Sequence, residues 1–169
     1  MNDYATNISI GGVLPVSLLP ELLRAAVHCG TGFDWNGDRL DETDSELQRL
    51  RDMIDEERSS GDPLRLYNDV AGDGRLEALE TFCREHGLSY RREHDPDHGD
   101  SGMVCWWSPG MSAPTEREAD SDGEPFVFVH EIIEILDGKA TPKAALAAIR
   151  DLAKRATPFE VGTLTLSQS

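Results

Sequence analysis

Cysteine, basic residues and long apolar runs are all scarce in this chain, and each shortage excludes something. Cys29, Cys83 and Cys105 are the only cysteines in 169 residues, widely spaced and without a CxxC pair. An odd, scattered count is not a disulfide framework. Lys and Arg total 16 against 32 Asp and Glu, giving a net charge of −16 and a pI of about 4.5. Non-specific binding to DNA or RNA needs cations that neutralise phosphates, and docking on an anionic membrane needs them too. No apolar stretch approaches the ~18–20 residues of a membrane span. Met1-Asn2-Asp3-Tyr4 lacks the basic and apolar regions of a secretion signal. The expectation is therefore a cytoplasmic protein with neither nucleic acid nor membrane as a direct partner. The phosphate loop GxxxxGK[ST], the nucleophile elbow GxSxG and the dinucleotide fingerprint GxGxxG are all missing, so none of those chemistries is implied, and no cofactor is.

Apolar residues make up 38% of the chain, enough for one core, and the length fits a single domain over 1–169. Ile8 and Ile10 alternate in a strand over 5–14 that Gly11-Gly12 could break. Leu18, Leu19, Leu22, Leu23, Ala26 and Val27 predict a helix over 19–28, with Pro20 in its first turn. Thr43-Asp44-Ser45-Glu46 has the form of a capping box, and Leu47, Leu50, Met53 and Ile54 place one apolar stripe on a helix over 44–58. The segment 64–92 reads as strand–helix–strand: Leu64 and Leu66, a turn at Ala71-Gly72-Asp73-Gly74 with Asp73 as the cap, a helix through Leu76, Leu79, Phe82 and Cys83, Gly87 as its stop, then Leu88-Ser89-Tyr90. Residues 103–107 form a further strand, in which Trp106 and Trp107 face opposite ways. A flexible loop is expected at 109–124, a short strand or an apolar tether at 125–129, a short helix at 132–138, a helix opened by Thr141-Pro142, and a tail over 157–169 that either adds an edge strand at 162–166 or stays loose. The fold class is α+β, one mainly antiparallel sheet covered by helices.

The acid is uneven. Residues 34–57 hold ten acids against three bases, and 93–124 hold nine against Arg117 alone, whereas 139–155 hold five bases against Asp151. Such runs serve either as solvated faces or as surfaces read by a basic partner. Two acidic segments side by side would approach the charge density of a nucleic acid, one charge per ~1.7 Å of duplex axis. On the second reading Asp41, Glu42, Asp52, Asp55, Glu56, Asp95, Asp97 and Asp100 face Lys and Arg of a partner protein, one that handles nucleic acid. A rival reading is a metal-dependent hydrolase built on His94, His98 and the Asp residues between and after them, with a third ligand from His86 or His130; Pro96 and Gly99 keep the two histidines off a common helix. Asp34-x-Asn36-x-Asp38 begins like a calcium loop, but Arg39 and Ser45 stand where glycine and the bidentate Glu belong. His130-Glu131-Ile132-Ile133-Glu134 lacks the second His of HExxH. A third reading is a structural or regulatory module that uses its basic C-terminal helix, as in a homodimer.

Asp69-Val70-Ala71-Gly72-Asp73-Gly74-Arg75-Leu76-Glu77-Ala78-Leu79-Glu80, with Glu85-His86-Gly87-Leu88 and later Asp122-Gly123-Glu124-Pro125 and Val129, resembles small acidic accessory proteins carried on bacterial plasmids and phages over residues 64–138. The resemblance implies a mobile-element accessory protein. That group includes inhibitors of host defence of the anti-CRISPR and antirestriction kinds.

Overall fold

A computed structural model describes residues 3–96, 101–139 and 141–168. Strand β1 (Asp3–Pro15) leads through a single 3-10 turn (Val16–Leu18) into α1 (Leu19–His28); α2 (Asp44–Ser60), β2 (Leu64–Gly72), α3 (Glu77–Glu85), β3 (Ser89–His94), β4 (Gly102–Trp107), β5 (Thr115–Ala119), α4 (Val129–Gly138), α5 (Pro142–Ala156) and β6 (Leu164–Ser167) follow. The sheet order is β2-β1-β3-β4-β5, every pairing antiparallel, and β6 joins parallel to Gly12–Pro15 of β1. This is the α+β architecture read from the sequence. The strand–helix–strand unit is present with one refinement: β1 lies between β2 and β3, so α3 carries the chain across it.

Alternation along the strands makes two unlike faces. Ile8 and Ile10 of β1, Leu64 and Leu66 of β2, Tyr90 of β3, and Cys105 and Trp107 of β4 point into the main core, which α1, α2 and α3 close with Leu19, Leu22, Leu23, Ala26, Leu50, Ile54, Leu79, Phe82 and Cys83. The opposite face carries Asn7, Ser9, Arg65, Tyr67, Arg91 and Glu93. Its apolar part is a small second cluster of Val104, Trp106 and Ala119 with Met111 and Phe159 against it. Trp106 and Trp107 therefore do divide between the faces.

Several expectations are corrected. β1 does not break at Gly11-Gly12: it runs on, and Gly11 is needed because a Cβ there would collide with the carbonyl oxygen of Gly162 as the chain enters β6. Residues 109–124 are not one loop, since β5 pairs with β4 across Thr115–Ala119. Residues 125–128 add only an isolated bridge, Ala119 to Pro125, and α4 starts at Val129. Asp73 does not cap α3. The N-cap is Leu76, whose N–H donates to Glu80 Oε1 at 3.4 Å. Asp73 and Gly74 both take positive φ, 52° and 63°, and form the tight turn that ends β2. A Cβ on Gly74 would run into the His94 ring. Gly74→Ala is thus strained twice over and should cost about 2 kcal/mol or more in urea denaturation; a loss near zero would mean that the turn and ring relax freely.

Candidate functional site

The acidic helix α2 is built as its sequence requires. Thr43 Oγ1 accepts from Glu46 N–H at 3.3 Å, Leu50 and Ile54 are fully buried, and Gly61 at φ 86° ends the helix. At 3.6 residues per turn, Asp44, Ser45, Gln48, Asp52, Asp55, Glu56 and Ser59 share an outward arc of about 120°. That arc holds four carboxylates and no base, and every one of its residues is exposed. Asp55 is paired with Arg58 at 3.2 Å and Asp52 accepts from Gln48 at 2.7 Å. Beside the helix start, Asp41 accepts from Thr43 at 2.6 Å and Glu42 lies 3.7 Å from Arg24. Asp44, which belongs to the ridge, was missed in the sequence because it reads first as a helix-start residue.

The acids of the second segment that lie on β5 and its exit are not beside α2. α2 packs against β2 and β6. Glu116, Glu118 and the Asp120–Glu124 turn belong to β5 and its exit, at the opposite edge of the sheet, roughly 19 Å from β2 at four strand spacings. Asp95 is exposed where β3 leaves the sheet, its N–H donating to Ala5 O at 3.0 Å. Asp97, His98 and Asp100 lie outside the described residues. Over the ~18 Å from Asp44 to Glu56, a duplex would present about ten charges; the ridge presents four. The ridge is an acidic face, sparser in charge than duplex DNA.

The histidines expected around a metal sit in different settings. His94 is buried, its ring 4.5 Å from Tyr4 and its Nδ1 3.2 Å from Asp95 O. His86 contacts Glu21 at 3.4 Å with its ring tilted against Phe82, and His130 stacks on Phe128. Among the described residues no group of three His, Cys, Asp or Glu side chains converges as a metal site would. Glu131, of the HExxH-like run, accepts from Arg117 at 2.6 Å and from Phe128 N–H at 3.0 Å, and these bonds hold its carboxyl below the usual range. In the Asp34–Asp38 loop, Asn36 N–H donates to Asp34 Oδ1, an Asx turn.

Burial lowers the pKa of His94. The unfolded imidazole, titrating near pH 6.5, takes up a proton that the folded one resists. The stability this gives is complete above that value and is lost as pH falls through the lower folded pKa. Urea stability should therefore decline from about pH 7.5 to about 5.5, and the decline should flatten in His94→Gln; equal slopes in the two proteins would remove His94 as its source.

A site that sequence reading missed is the buried guanidinium of Arg92, only 2% exposed. It donates from Nε to Glu80 at 2.7 Å, from Nη2 to Glu116 at 2.7 Å, and from Nη1 to the Gly74 carbonyl. Tyr90 OH donates to the other Glu80 oxygen at 3.3 Å. Burial opposes the charge, but Glu80 and Glu116 outweigh it and keep Arg92 protonated. Burial, with Cys105 and Glu80 nearby, pushes the Tyr90 phenol up, so it stays neutral. The sequence signal was the alternation itself: Tyr90, Arg92 and His94 share the inward side of one strand. Burial also raises the thiol pKa of Cys29, Cys83 and Cys105, which suits packing rather than nucleophilic attack.

No helix among the described residues is long and apolar enough to cross a membrane. Compared with known proteins, the chain matches no family model, no curated relative and no solved structure.

Proposed function

We propose that the protein is a non-catalytic binding protein whose α2 ridge, flanked by Asp41 and Glu42, docks on a basic surface of another protein. The observation that carries this reading is the exposed arc of Asp44, Asp52, Asp55 and Glu56, in which only Asp55 is paired with a base, Arg58, among the described residues. Clustered exposed carboxylates steer association with a basic partner and suppress acidic ones. The partner class is a protein whose groove is lined with Lys and Arg, as in complexes that process nucleic acid. Inhibition of a host defence complex is the specific form of this reading that the mobile-element resemblance favours. Charge density supports a docking face more than a full imitation of duplex DNA. Asp95, at the far end of β3, lies outside the ridge.

The experiment is affinity capture on the immobilised protein from a lysate of the organism that carries it. The expected result is retention of basic proteins at about 50 mM salt and their release at about 500 mM, where the screening length falls from over 10 Å to a few Å. Retention that is indifferent to salt, or a set of captured proteins with no basic bias, would overturn the reading.

A further inference from the structure

We propose that the exposed face of the α4–α5 hairpin is a self-association surface and that its occupant is a second copy of this chain. The proposal is independent of the α2 reading. α2 covers the main-core face of the sheet, whereas α4 is tied by Glu131 to Arg117, which lies with Val104 on the opposite face.

The first observation is apolar. Of the ten large hydrophobic side chains exposed among the described residues, seven fall between 126 and 146. Val129, Ile133 and Leu136 follow at i, i+4 and i+7, so they form one stripe on α4, and they are 71%, 50% and 51% exposed. Leu146 of α5 is 50% exposed. α4 packs chiefly on α5, and none of its residues is buried. A patch of this kind on a charged protein marks an interface.

The second observation is charge, and it selects the occupant. Two copies that each carry −16 repel one another wherever acidic surfaces meet. The segment 139–155 is the exception. It holds five bases against Asp151, and all three lysines of the chain, Lys139, Lys143 and Lys154, are in it. Lys143, Arg150 and Lys154 are exposed and pair with no carboxylate among the described residues; only Arg155 is matched, to Asp151. α4 supplies the complement in exposed Glu134 and Asp137. A two-fold contact sets each surface against its own copy. It would bury the apolar stripes at the centre and bring Glu134 and Asp137 of one copy to the α5 cations of the other. The same contact lets two highly acidic molecules meet through a segment that carries an excess of bases.

The test is sedimentation velocity on the full chain over a wide concentration range, together with zero-length carbodiimide coupling in a mixture of isotopically light and heavy protein. The expected result is a concentration-dependent dimer, with inter-copy peptides that join Lys139, Lys143 or Lys154 to Glu134 or Asp137. Ile133→Asp and Leu136→Asp should each weaken the dimer by at least ~10-fold. Both positions are half exposed, so circular dichroism should show the fold retained. Should either variant unfold, Lys143→Glu with Lys154→Glu gives the same reading by charge. A monomer at every concentration would overturn the proposal. So would a dimer indifferent to all these substitutions, couplings that run from α5 to the α2 carboxylates, or a monomer whose stripe holds a different protein.

Discussion

Glu80→Leu is expected to cost about 3–5 kcal/mol of folding stability, the loss typical when one partner of a buried ion pair is removed. Three donors lose their acceptor at once: Arg92 Nε, Tyr90 OH and Leu76 N–H. Arg92 keeps Glu116 and the Gly74 carbonyl, but Nε, on a guanidinium only 2% exposed in the intact fold, is left without its acceptor. A domain stable by about 5–15 kcal/mol loses a large share of its margin in this way. The double variant Glu80→Leu, Arg92→Met removes the buried charge together with its partner and should cost clearly less than the two single losses added. Urea denaturation of the three variants decides the matter. A cost under about 1 kcal/mol for Glu80→Leu would show that the network contributes no more than a surface pair.

The second large effect is functional. Replacing Asp52, Asp55 and Glu56 by Lys turns the outward arc of α2 from four acids and no base into one acid and three bases. Steering by a charged surface is worth roughly 10- to 10³-fold in association rate at low salt, and the reversed arc should forfeit it against any basic partner. The fold should survive. All three side chains are exposed, where substitutions usually stay within about 0.5 kcal/mol. The one ion pair broken among the described residues, Asp55 with Arg58, is half exposed and worth about 0.3–0.5 kcal/mol. Circular dichroism and the urea midpoint check the fold, and biosensor association rates with the captured partner check the function.

Local signals explain what was legible in the sequence. α1, α2 and α3 were readable because Leu22 and Leu23, Leu50 and Ile54, and Leu79 and Phe82 recur at helical period, and because Thr43 and Gly61 punctuate α2 with cap chemistry. β5 was hidden because Thr-Glu-Arg-Glu-Ala has no apolar alternation. Its Glu116 and Arg117 are held instead by Arg92 and Glu131, 24 and 14 residues away. The Arg92 site was hidden for the same reason: its partners come from α3 and β5, and only the folded register brings them together. Excess charge was visible as composition, yet the sequence could not show that α2 packs by β2 and β6 while Glu116, Glu118, Asp120, Asp122 and Glu124 lie on β5 and its exit at the other edge of the sheet. Nor could it show that Glu42 and Asp55 each have an arginine of their own.

The most direct test of the α2 reading is capture from one lysate, side by side, on three surfaces: the wild-type chain, the Asp52→Lys, Asp55→Lys, Glu56→Lys variant, and Leu136→Asp as a folded control altered on the opposite face. Salt-sensitive basic proteins retained by the wild type and by Leu136→Asp, but lost from the triple variant, are the predicted outcome. Equal retention on all three surfaces would contradict a docking role for the ridge.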